Sequence, residues 1–151
     1  MKETRGGSGK GKRTSLKLFL DSSVLLSASG SRRSLSRLIL EMAGRRRWSL
    51  ITSFYCVTEV NRNVIKFGEA GILAWGEIER KVRVVPDTLV SNRPLLLASA
   101  KDKPVLISAL ASESNYLLTL DIGDFGIILN TSVYGVRVAT PRQFLVKQGF
   151  G

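Results

Sequence analysis

Histidine is missing from this chain altogether, and that gap closes off several chemistries at once. Without imidazole there is no Ser-His-Asp triad, no Cys-His pair and no imidazole metal ligand. Acid–base or metal chemistry must rest on aspartate and glutamate. Cysteine is nearly as scarce: Cys56 stands alone, so no internal disulfide can form, and its apolar surroundings suit a small core residue in a reducing cytoplasm. No apolar run approaches the roughly 20 residues a membrane span needs, and the first residues lack the hydrophobic segment of a secretory signal. The expected compartment is the cytoplasm, with no membrane partner. Acids are also few, 12 against 23 lysines and arginines.

That imbalance leaves a formal charge of +11 and a pI of about 10.4, a field that favours a polyanion such as nucleic acid or an acidic protein segment. The surplus begins early, since Lys2, Arg5, Lys10, Lys12, Arg13 and Lys17 face the single acid Glu3. Residues 1–14 have no periodic apolar positions and read as a disordered basic tail. Gly6, Gly11 and Lys12 have the offsets of a phosphate loop, but Arg13 takes the required Ser/Thr place and the strand follows instead of preceding. The match fails. Residues 15–151 read as one domain, and a chain of 151 residues buries enough surface to fold without staples.

From Leu16 the pattern alternates strand and helix. Leu16 to Leu20 is a buried parallel strand in type. Leu35, Leu38, Ile39, Met42 and Ala43 give a one-faced helix that Gly44 is placed to end. Trp48 to Thr52 is a second strand, with both Trp48 and Trp75 at core positions instead of base-stacking ones. Cys56, Val60, Val64 and Phe67 keep helical spacing up to Gly68, and Ala70 to Arg80 predicts a helix with Ile72, Trp75 and Ile78 inward. Val82, Val84 and Val85 form a strand closed by Pro86-Asp87, and residues 88–101 stay unassigned. Asp102-Lys103-Pro104 starts a helix with Val105, Leu106, Ala109 and Leu110 buried. A strand over Tyr116 to Leu120, another over Gly135 to Val138, and a last helix capped by Thr140-Pro141 complete the chain. Strands joined by helical crossovers predict an α/β fold, a three-layer α/β/α sandwich on a mostly parallel sheet.

Five acids stand out against this pattern. Asp21 and Asp121 directly follow the two most apolar strands, where open α/β sheets place their ligands. Asp124 lies three residues on, across the flexible Gly123. Each acid alone has an ordinary explanation: Asp21 and Asp102 as helix caps, Glu59 as a solvated edge of its helix, Asp121 and Asp124 as an acidic turn. Together they would repel one another unless a cation neutralised them. Hard divalent cations take oxygen ligands, so the set predicts Mg²⁺ or Mn²⁺ and, with phosphates drawn to a basic surface, phosphodiester hydrolysis.

With those residues in view, the chain resembles the PIN-domain family of metal-dependent nucleases. Leu18-Phe19-Leu20-Asp21-Ser22-Ser23-Val24 is similar to the family's opening strand and first aspartate, and Thr58-Glu59-Val60 to its helical glutamate. Residues 101–110, beginning Lys101-Asp102-Lys103-Pro104, resemble the third acidic motif, and Leu117-Leu118-Thr119-Leu120-Asp121-Ile122-Gly123-Asp124-Phe125 the fourth. Ala139 to Leu145 fits the closing segment, so the resemblance covers about residues 16–147. Within the family the chain looks most like the VapC-like toxins of toxin–antitoxin pairs.

That resemblance implies an endoribonuclease acting on single-stranded RNA, often a homodimer, silenced by a small antitoxin. It implies Asp21, Glu59, Asp102 and Asp121 as the catalytic set, Asp21, Asp102, Asp121 and Asp124 as metal ligands, and Ser23 and Thr119 as supports for the acids. Two departures stand beside it: the long basic tail, and Ser23 where many members carry Asn. Arg32, Arg33, Arg37, Arg45, Arg46 and Arg47 are candidate RNA contacts, or simply solvated helix faces. A non-catalytic RNA-binding or assembly protein on the same fold is the alternative, though it gains nothing from acids facing phosphate. A phosphatase with Asp21 as nucleophile would want a second aspartate where Ser23 stands.

Overall fold

A computed structural model describes residues 15–89 and 103–150. The basic tail 1–14, Asp102 and most of the unassigned stretch 88–101 lie outside the described residues. Among the described residues six strands form one sheet: β1 (Leu16–Leu20), β2 (Trp48–Ser53), β3 (Arg83–Val85), β4 (Tyr116–Leu118), β5 (Thr131–Val133) and β6 (Val136–Ala139). Their order is β3-β2-β1-β4-β6-β5, and all neighbours are parallel except β5 against β6. Helices α1 (Ser22–Gly30), α2 (Leu35–Arg46), α3 (Phe54–Asn63), α4 (Gly68–Glu79), α5 (Lys103–Ala111), α6 (Ile122–Phe125) and α7 (Pro141–Lys147) connect them.

Alternation along the central strands splits the core into two layers. Leu18, Leu20, Leu50 and Leu118 face one side with Val24, Leu25, Ile39, Val60, Trp75 and Phe144. Phe19, Ile51, Leu117 and Val138 face the other with Cys56, Val105, Leu106 and Phe125. Each strand of the centre is therefore apolar on both faces, which is why β1 and β4 read as unbroken runs. Phe144 anchors α7 through edge-on contacts with Trp48 at 4.9 Å and Tyr116 at 4.8 Å between ring centres. The sandwich is the expected α/β/α architecture.

The strand order places a topological switch between β1 and β4. The chain leaves β1 toward β2 and β3, then returns to the other side of β1 for β4, so a crevice opens at the carboxyl ends of this pair. Register locates it: Leu20 pairs with Leu118, and the next amide, Asp21 N–H, donates to Leu118 O at 3.0 Å. Asp21 thus stands at the mouth of the crevice.

Several local expectations are corrected. Gly44 does not end α2, which runs on to Arg46 and is closed by Arg47 in the left-handed conformation at φ 61°, its N–H bonded to Ala43 and Gly44 carbonyls. The α3 spacing breaks at Asn63 into a 3₁₀ turn, Val64–Phe67, which leaves Phe67 exposed with its ring against Gly30. Helix α4 turns Gly71, Trp75 and Ile78 inward, so Ile72 faces out. Strand β4 stops at Leu118, and β6 begins one residue later than expected and pairs with the unforeseen β5. Their two-residue turn, Tyr134-Gly135, has φ of 47° and 92°, the hand that matches strand twist.

Candidate active site

The site is built on the first residue after β1. Asp21 is a helix cap and a candidate ligand at once: its Oδ1 accepts the Ser22 N–H at 2.9 Å, starting α1. Its Oδ2 accepts two hydroxyls, Ser23 Oγ at 2.9 Å and Thr119 Oγ1 at 2.7 Å. Only 5% of the residue is exposed. Three donors on one carboxylate leave about one of its four lone-pair sites open.

The same hydroxyls tie the loop after β4 to Asp21. Ser23 Oγ accepts the Leu120 N–H and Thr119 Oγ1 accepts the Asp121 N–H, each at 3.0 Å. Asp121 then caps α6, its Oδ1 accepting the Asp124 N–H at 3.0 Å. The two strand-end aspartates are therefore joined through Thr119, donor to one and acceptor from the other. Burial pushes the Asp21 carboxyl above its usual range; the three hydrogen bonds oppose this, and the negative charge of Asp121 adds to it.

Glu59 comes from α3 to the same end of the sheet. Its Oε1 accepts Ser22 Oγ at 3.4 Å, and its Oε2 lies 4.0 Å from the Arg62 guanidinium. Of the five acids, Asp21, Glu59, Asp121 and Asp124 gather at the carboxyl edge of β1 and β4, while Asp102 lies outside the described residues. Among the described residues no group of three or more acids is already close enough to hold an ion.

The donor set still suits a hard divalent cation. It consists of carboxylate oxygens, and the Asp21 carboxylate is buried beside the negative charge of Asp121, its hydrogen bonds among the described residues coming from an amide and two hydroxyls and none from a cation. Asp21, Asp121 and Asp124 are the described residues that would hold the ion.

One acid escaped the sequence reading. Asp87, after β3, accepts the Tyr55 N–H at 3.0 Å and with Ser53 caps α3, the helix that carries Glu59. Its role crosses 32 residues of sequence, which no local pattern reveals. Cys56 sits beneath the site, fully buried; burial first, and then the charge of Asp21, push its thiol up to about 11.

The arginines separate into different places. Arg37 Nε donates to Ala28 O at 2.9 Å and clamps α2 to α1. Arg32 and Arg33 are exposed in the turn between those helices. Arg45, Arg46 and Arg47 immediately precede β2, at the opposite end of the sheet from Asp21, with Arg46 stacked 5.6 Å from Trp48 and 4.9 Å from Phe150. Trp48 and Trp75 are core residues, 6% and 4% exposed. No described helix is long and apolar enough to cross a membrane.

No family model matches the chain, and no curated protein matches it. In three dimensions it is similar to a chain of the crystal structure of VapBC2 from Rickettsia felis bound to a DNA fragment from their promoter, at 12% sequence identity and a TM-score of 0.58. The likeness spans 82% of this chain and 97% of that one, and what the two share at such low identity is the PIN-like α/β/α fold.

Proposed function

We propose that this protein is a metal-dependent endoribonuclease that hydrolyses phosphodiester bonds of single-stranded RNA, acting as the toxin of a toxin–antitoxin pair. The observation that carries the reading is the pairing of Asp21 with Asp121 through Thr119, at the switch point between β1 and β4. A basic chain with acids collected at one crevice draws in phosphate broadly and concentrates divalent cation locally. The fold shared with a VapBC chain supports the same class, and with it a small antitoxin partner. A homodimer belongs to the reading through the family resemblance.

Mg²⁺ or Mn²⁺, when bound, lowers the pKa of a water and offsets charge on the leaving oxygen. The protein's own part is orientation. Ser23 and Thr119 fix the rotamer of Asp21, so the carboxylate is held in place without reorganisation. Asp121 is held by its own capping bond to the Asp124 amide. Glu59, tethered to Ser22, adds negative charge on the α3 side, and Asp102 enters the set through its motif.

Purified protein incubated with single-stranded RNA should cleave it with Mn²⁺ or Mg²⁺, stop in EDTA, and lose activity as Asp121→Ala. Cleavage that survives EDTA or Asp121→Ala overturns the mechanism. Metal-independent binding without cleavage identifies the alternative, an RNA-binding protein on the same fold.

A further inference from the structure

All described aspartates follow strands: Asp21 after β1, Asp87 after β3, Asp121 and Asp124 after β4. The opposite edge is rich in cations before β2 and β3, with Glu79 before β3 and Glu113 before β4 as acids beside them. Because β3 and β2 are adjacent and parallel, the residues that precede them lie toward the same edge of the sheet, β3 starting level with Ile51, three residues past the start of β2. Arg45, Arg46 and Arg47 precede β2, and Arg80 and Lys81 precede β3. Arg45, Arg47, Arg80 and Lys81 are exposed.

A cation in the last turn of a helix needs no ligand, since the helix dipole favours it. That accounts for Arg45 and Arg46, but not for Arg47, which is the cap itself, nor for Lys81 beyond α4. Arg47 is also held at φ 61°, where glycine or asparagine is the ordinary choice.

We propose that this amino edge is a second nucleic-acid surface, which grips the phosphodiester backbone without reading sequence and stands apart from the acidic crevice. Five residues of β1 at about 3.3 Å each put the two edges roughly 16 Å apart, too far for one phosphate to meet both. Arginine dominates, and its planar fork matches phosphate oxygens in pairs. A lipid surface is disfavoured because the aromatic groups here are not free to insert: Trp48 is buried, and the Arg46 guanidinium covers both it and Phe150. This surface extends beyond the cleavage reading and does not depend on it.

The test is fluorescence polarisation of the full chain with a labelled oligouridylate of about 20 nucleotides, in EDTA, across a salt series. The wild type should bind with an affinity that falls steeply with salt. Arg45→Ala/Arg47→Gly, which keeps a residue suited to the left-handed cap, should bind at least about tenfold more weakly with a salt slope shallower by about 1.4, roughly 0.7 for each cation removed. Arg80→Ala/Lys81→Ala, on a different element, should do the same, so misfolding of one variant does not decide the matter. Wild-type affinity and slope in both variants overturn the proposal, as does no binding by the wild type. So does co-sedimentation with phosphatidylserine–phosphatidylcholine vesicles, lost in the variants, while oligouridylate binding is unchanged. Since no divalent cation is present, failure of the nuclease reading leaves this result standing, and the reverse holds for cleavage assays.

Discussion

Thr119 donates its hydroxyl to Asp21 Oδ2 at 2.7 Å, across 98 residues of sequence. The same oxygen accepts the Asp121 amide, so a single buried side chain sets both the direction of one carboxylate and the start of the loop that bears the other.

Thr119→Val keeps the shape and removes the hydroxyl. Asp21 loses its shortest hydrogen bond and the Asp121 N–H loses its acceptor, a cost of about 1–3 kcal/mol for an unsatisfied buried group. Thermal melting should show that loss, and metal-dependent RNA cleavage should fall by an order of magnitude or more. Thr119→Ser should recover most of the activity, because it restores the bridge. Equal activity in the valine and serine variants would show that the bridge does not set the site.

How far the sequence announces this site differs from residue to residue. Asp21 and Asp121 are visible because β1 and β4 are apolar on both faces, so each run ends abruptly in an acid. The bridge itself is not legible, for a threonine inside an apolar run carries no sign of which carboxylate it will meet. Asp87 is hidden for the same reason, being a cap on a helix 32 residues away. The short β5 lacks the Asn-Gly turn that advertises a hairpin, and Tyr134-Gly135 forms it instead. The arginine runs looked alike on paper; only the parallel order of β1, β2 and β3 shows that Arg45 to Arg47 lie at the far end from the acids.

Cys56 offers a probe of the protein's integrity beneath the site. Its side chain is fully buried and its thiol is pushed up to about 11, so almost none is thiolate near pH 8. An aromatic disulfide reagent should react in the native state only as fast as the chain opens, and at once in denaturant. Fast native labelling would mean that the floor of the crevice opens far more often than this packing allows.

Two glycines in helices should respond in opposite directions to alanine. Gly44 lies inside α2 with no atom near the position of an added methyl, so Gly44→Ala should stabilise by about 0.5–1 kcal/mol. Gly71 faces Phe67, whose Cβ would lie 2.4 Å from the new methyl. Gly71→Ala must therefore push Phe67 off its seat and lower the melting temperature. Denaturant titrations of the two variants compare the signs directly, and stabilisation by both would contradict the packing of Phe67.

Asp21→Asn separates the demands of stability from those of catalysis. Burial, with Asp121 adding to it, holds the Asp21 carboxyl above its usual range despite three hydrogen bonds. The folded state therefore binds this proton more tightly than the unfolded chain does. The stability so gained is fully present below the unfolded pKa of about 3.9 and is lost as pH rises through the raised folded value. At neutral pH without metal, the wild type must either bury the charge or take up a proton that the unfolded chain has released, a net cost in both cases. The amide has no such charge, so Asp21→Asn in EDTA should melt higher than the wild type at pH 7, and the gap should narrow as pH falls toward 4. Cleavage should be abolished, and added Mn²⁺ should raise the melting temperature of the wild type but not of the variant. A variant that melts lower than the wild type in EDTA at pH 7 would mean that the hydrogen bonds from Ser22, Ser23 and Thr119 outweigh the burial of charge.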